Sequence, residues 1–178
     1  EVQSGNSNEG DSGSIDIRTG HAPYGSAGGV SLCVGSSEGD GGALELCAGT
    51  ALQGDGGHIT LASGSGSVCG GDVAIDAGAG NRDRGGAIEV RSGSSEQTSG
   101  SVFISSAAAP HTSGNATLTT GTASDGASGA VCIASGPGDV SGDIDLVAGA
   151  AGAQGGTIMV KAGDGDAGGA AEIAAGDG

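Results

Sequence analysis

The sequence is short of positive charge, of aromatic rings and of the larger aliphatic side chains. Five Lys and Arg stand against 21 Asp and Glu, for a formal charge of −16 over 178 residues. A surface so acidic repels phosphate backbones and anionic lipid, which excludes nucleic acid and membrane surfaces as partners. The cations are also too few and too scattered for the charged face on which β-helical polysaccharide-cleaving enzymes concentrate their acids and bases. Trp is absent, and Tyr and Phe occur once each. No apolar run approaches the ~20 residues needed to span a bilayer. No secretory signal or initiator Met opens the chain, which reads as mature, cut or an excerpt of something longer. No Cys-x-x-Cys pair or Cys/His spacing points to zinc. Val, Ile, Leu and Phe together number 29, about 16% of the chain, a level that with this net charge predicts disorder.

The arrangement of those few apolar residues argues otherwise. One apolar anchor recurs every 13 to 15 residues: Val2, Ile17, Leu32, Leu46, Leu61, Ile75, Val90, Ile104, Leu118, Ile133, Leu146, Val160 and Ile173. Gly stands four positions before every anchor from the second onward, Gly13 through Gly169, and three positions after every anchor except at Ala107. Two positions before each anchor, from the second onward, lies a second apolar residue, Ile15 through Ala171, with Ala116 and Ala171 as the smallest. These 25 slots hold 23 of the 28 Val, Ile and Leu residues. The unit is therefore Gly-x-Φ-x-Φ-x-small-Gly, followed by about six polar residues. Period-two alternation, β-branched enrichment and flanking glycines predict a short strand with one buried face. Helix is excluded, since Gly costs ~1 kcal/mol against Ala at each interior position.

A unit this short cannot bury its own apolar face and has to stack on its neighbours. The expectation is an all-β fold, a parallel β-solenoid of 12 to 13 repeats forming a single domain over residues 1–178. Two windings compete. One repeat per turn makes a thin coil, whereas two repeats per turn make two facing sheets. The second is preferred, because across facing strands the order Gly, Φ, Φ, small meets small, Φ, Φ, Gly. Spacings of 15, 14, 15, 14, 15, 14 from Ile17 agree with a two-repeat period. An antiparallel meander is the remaining arrangement. In the wide coil the outward residues Ala74, Phe103, Cys132 and Met159 stack into an apolar stripe, a candidate lateral contact. Neither end departs from the pattern, and uncapped strand edges invite further strands. The chain is expected to continue into a longer repetitive protein or to stack end to end with copies of itself.

Side-chain chemistry is sparse. Cys33 and Cys47 share one outward slot in successive repeats, so the thin coil would bring them within disulfide reach and the wide coil would separate them. His21, His58 and His111 fall at three different phases of the repeat, and no Ser, His and Asp recur as a nucleophile and base. The sequence is read as that of a non-enzyme without a resident cofactor. Acidic residues recur before the glycines, including Asp40, Asp55, Asp125, Asp139 and Asp166; stacked turns would line them along an edge able to hold calcium weakly. The nine-residue calcium repeat itself is absent. Thr117-Leu118-Thr119 places two threonines outward, as ice-binding surfaces do, in this one unit only. Asn115-Ala116-Thr117 is a glycosylation sequon, with Asn115 as the acceptor if the chain is secreted.

The string Gly41-Gly42-Ala43-Leu44-Glu45-Leu46-Cys47-Ala48-Gly49 resembles the Gly-rich β-solenoid repeats of large extracellular proteins in microbes and algae, including adhesins and hair-like surface fibres. The resemblance covers nearly the whole chain and is architectural. It implies an extracellular or cell-surface structural protein, a subunit or segment of a fibre held by self-association, on which the sequon and the Ser/Thr-rich turns would offer places for glycans. A calcium- or carbohydrate-binding adhesive module and an ice-binding protein are the alternatives.

Overall fold

In the computed structural model, residues 1–176 are described; Asp177 and Gly178, at the end of the repeat array, lie outside the described residues. Among the described residues there is no helix and no β-strand. The expected parallel β-solenoid is therefore incorrect in both its one-repeat and its two-repeat windings, and so is the meander. What the repeat produces is a series of loops between successive anchors, six of them closed by a backbone hydrogen bond.

The twelve glycines that precede the anchors by four positions mark the bases of these loops. A methyl group placed on Gly57 would meet Ala48 Cβ at 3.3 Å, and one on Gly86 would meet Ala77 Cβ at 3.3 Å. In each case the neighbour is the residue two places after the preceding anchor. The same juxtaposition, within 4 Å, is found at every junction but one: Ser4 with Gly13, Thr19 with Gly28, Val34 with Gly42, Ala48 with Gly57, Ser63 with Gly71, Ala77 with Gly86, Ser92 with Gly100, Ser106 with Gly114, Thr120 with Gly129, Ala148 with Gly156 and Ala162 with Gly169. Gly142 is the exception, with nothing within 4 Å. A side chain at Gly42 would overlap Val34, and at Gly57, Gly86 and Gly156 it would press on the preceding segment; at the other junctions the approach is ordinary van der Waals contact or looser.

At six junctions the closure includes a backbone hydrogen bond. Gly57 N–H donates to Gly49 O at 2.9 Å, Gly71 to Gly64 at 2.9 Å, Gly86 to Gly78 at 2.8 Å, Gly100 to Gly93 at 2.9 Å, Gly156 to Gly149 at 3.0 Å and Gly169 to Gly163 at 3.0 Å. Donor and acceptor are the two glycines that bracket the polar segment. One bond per junction is not a ladder, and a strand needs a run of them. Among the described residues, the backbone bonds between neighbouring Φ-x-Φ segments thus lie at their glycine ends.

The chain divides into two units, Glu1–Glu89 and Val90–Gly178. The first contains the closed loops 49–57, 64–71 and 78–86, and the second contains 93–100, 149–156 and 163–169. Neither has a core: no described residue is buried, and only Ala22, Ala48, Ala148 and Ala162 are half-buried. Three of those four alanines are the small residues that face a junction glycine. The accessible surface is 17780 Å², where a folded monomer of 16.2 kDa would present about 7,500 Å² and a fully extended chain about 23,500 Å².

The reason the strands do not form lies in amounts rather than in pattern. Twenty-three mid-sized side chains, at ~1.5 to 3 kcal/mol each if fully buried, face a backbone entropy of ~1 to 2 kcal/mol per ordered residue. The 42 glycines raise that entropic cost further. Composition had pointed to this shortage, and the periodicity does not remove it. The pattern is nonetheless visible in the exposure of the side chains. In every unit where both slots hold Val, Ile or Leu, the first is the less exposed of the two, as in Val102 at 49% against Ile104 at 86%.

Inside the loops, Gly5, Gly10 and Gly54 take φ of 79°, 93° and 120°, a region that L side chains rarely adopt. Gly80 is held by space instead, since a methyl group there would overlap the carbonyl of Arg84. Gly80→Ala is expected to open the 78–86 loop, and amide exchange at Gly86 should accelerate about 5-fold as its hydrogen bond is lost.

Candidate functional site

The polar segments between anchors are tied together locally. Ser37 Oγ donates to the carbonyls of Gly39 at 3.2 Å and Asp40 at 2.7 Å, and Ser7 Oγ donates to Glu9 O at 3.2 Å. The Gln97 amide donates to Ser95 Oγ at 3.2 Å. These are turn-forming bonds of Ser to nearby backbone. Arg18 pairs with Asp16, and Lys161 Nζ lies 2.6 Å from Asp164 Oδ2. Both pairs are open to solvent, so they add little to stability.

The acidic candidates Asp40, Asp55, Asp125, Asp139 and Asp166 are all exposed. Asp125 Oδ2 accepts a bond from its neighbour Ser124 Oγ at 3.4 Å. Among the described residues, no three His, Cys, Asp or Glu side chains gather where they could hold a metal ion. The edge that was to line these carboxylates up depends on stacked turns, and the stack is not formed. His21, His58 and His111 are exposed as well.

All four cysteines, Cys33, Cys47, Cys69 and Cys132, are free and exposed. Cys33 Sγ lies 3.2 Å from Ser31 Oγ and forms no bridge to Cys47. Ala74 belongs to the first unit, and Phe103, Cys132 and Met159 to the second. Each is exposed, Phe103 at 91%. Their alignment into one stripe follows from the two-repeat coil alone. Asn115 is exposed, as an acceptor for a glycan has to be.

Two hollows stand out among the described residues. One, of about 570 Å³, is polar and lined by Gln3, Ser4, Gly5, Asn6, Ser7, Asn8 and Ser12, around the first loop. The other, of about 460 Å³, lies in the second unit between Ile104 and the segment Ala116, Thr117 and Leu118. The sequence contains the signal for the second. Ala116 fills a slot that elsewhere holds Val, Ile or Leu, and Ala107 replaces the glycine that should follow Ile104. A short side chain on one side and an irregular loop on the other leave the space between the anchors unfilled. Comparison with protein-family models, with curated proteins and with solved structures finds no match to this chain.

What recurs through both units is thus neither a cluster of ionisable groups nor a pocket. It is the apolar pair itself, exposed to water, with a bonded glycine junction beside it at six of the loops. No helix among the described residues is long and apolar enough to cross a membrane.

Proposed function

We propose that the chain is a segment of extracellular structural material that acquires its order by associating with copies of itself. The observation that carries this reading is the state of the apolar pairs. They recur every 13 to 15 residues, and none is buried in the isolated chain. An evenly spaced series of exposed Val, Ile and Leu is a set of equivalent contacts waiting for a matching set, and a second copy offers the same spacing. The charge of −16 opposes association and keeps dilute chains apart, so that assembly depends on concentration and ionic strength. Exposed Ser and Thr loops and the exposed Asn115 suit a glycan-bearing location outside the cell. The calcium-binding reading draws less support, since among the described residues no three His, Cys, Asp or Glu side chains gather where they could hold an ion.

Sedimentation velocity over a concentration series, with electron microscopy of the same samples, tests the proposal. Elongated assemblies are expected above a threshold concentration. That threshold should fall as salt is added and as pH is lowered from 7 toward the isoelectric point near 4.1, because the repulsion from −16 charges disappears over that range. Discrete monomers at every concentration and pH would overturn it.

A further inference from the structure

The six bonded junctions and the six unbonded ones differ in sequence in a way that the repeat pattern alone does not show. In every bonded junction the residue facing the glycine is Ala or Ser, and the loop contains no proline. Three unbonded junctions carry a β-branched residue at that position, Thr19, Val34 and Thr120. The chain's three prolines, Pro23, Pro110 and Pro137, all fall in unbonded loops.

The geometry gives the cause. In the bonded junctions, a methyl group placed on the glycine meets a Cβ at 3.2 to 3.6 Å, and the backbone of the acceptor glycine lies within 4 Å as well. In the β-branched junctions the nearest atom is a γ-carbon: Val34 Cγ1 at 2.8 Å from that methyl position on Gly42, Thr120 Cγ2 at 3.5 Å on Gly129, with its Cβ at 3.7 Å, and Thr19 Cγ2 at 3.9 Å on Gly28. There the acceptor glycine is no longer within 4 Å. We infer that the residue two places after each anchor is a conformational latch: Ala or Ser lets the loop close its glycine-to-glycine bond, and a γ-carbon wedges it open.

Proline in the loop acts independently of the wedge. It fixes its own φ and restricts the residue before it. That accounts for the loops 107–114 and 136–142, whose facing residues are Ser106 and Ser135. Only the loop 5–13 meets both conditions for closure and stays unbonded, and its acceptor glycine, Gly5, has φ of 79°. No other glycine at an acceptor position is in the left-handed region. The consequence is a chain with four closed loops in succession, from 49 to 100, flanked by stretches that the sequence holds open.

Amide hydrogen exchange on dilute, unassembled chain tests the latch without reference to self-association. With intrinsic rates corrected, Gly57, Gly71, Gly86 and Gly100 should exchange about 5-fold more slowly than Gly28, Gly42 and Gly129, the factor that one net hydrogen bond supplies. Val34→Ala should slow Gly42 by a similar factor, and Pro137→Ala should slow Gly142. Ala48→Val should accelerate Gly57, whereas Ala48→Ser leaves it unchanged. Equal exchange at all the junction glycines, or a failure of either Val34→Ala or Ala48→Val to shift its own glycine, would overturn the inference.

Discussion

Heated in dilute solution, the isolated chain is expected to give no cooperative endotherm. An ordinary two-state domain of 178 residues would absorb about 120 kcal/mol at its midpoint, on ~0.7 kcal/mol per residue. That enthalpy and its cooperativity come from a core that is lost all at once. Here the surface of 17780 Å², set against about 23,500 Å² for the extended chain, means that roughly a quarter of the available surface is buried, where a domain of this size buries about 70%. The hydrogen bonds at the six junctions are each closed within a loop of ten residues or fewer. They melt one at a time, over a broad range, with little change in heat capacity. Differential scanning calorimetry on a sample shown to be monomeric checks this. A sharp transition approaching the full enthalpy, with matching van't Hoff and calorimetric values, would show a core that the structure does not contain.

The repeat unit was legible in the sequence, down to the glycine and the residue two places after the anchor that meet at eleven of the twelve junctions. The fold class was not. Alternation says which side of a segment is apolar, but Leu44 and Leu46 read the same whether they face a core or water. Their fate depends on whether enough apolar surface exists elsewhere to cover them. With 29 Val, Ile, Leu and Phe in 178 residues, it does not within one chain. The more pessimistic indicator, composition, was the better guide to the isolated molecule. The candidate lateral stripe of Ala74, Phe103, Cys132 and Met159 rested on the two-repeat coil for its alignment, and these residues are exposed. The wedge at Val34 was legible in principle: a branched residue stands where nine of the other eleven junctions have Ala or Ser. Its effect shows only once the γ-carbon is seen against Gly42.

The largest effect on assembly is expected from the apolar pairs, and the contrast with apolar residues outside the pattern is what makes it decisive. Leu44, Leu46, Ile59, Leu61, Val73 and Ile75 are between half and 70% exposed, whereas Leu52, Val68 and Val140 are 92 to 104% exposed. If exposed apolar surface were merely adhesive, the second group would matter more. If the evenly spaced pairs are the contacts, the first group would. Covering a half-exposed Val, Leu or Ile contributes about 1 kcal/mol of the ~1.5 to 3 kcal/mol available for full burial. Six such residues changed to Ser thus remove about 6 kcal/mol, which raises the threshold concentration for assembly by about 10⁴-fold. In practice the six-fold variant should remain monomeric where the parent forms elongated particles. The variant with Leu52, Val68 and Val140 changed to Ser should assemble at the parent's threshold. Light scattering on both variants against the parent, at matched pH and salt, reads the difference. Equal loss in the two variants would reduce the proposal to non-specific adhesion. No loss in the first would remove the apolar pairs from the interface altogether.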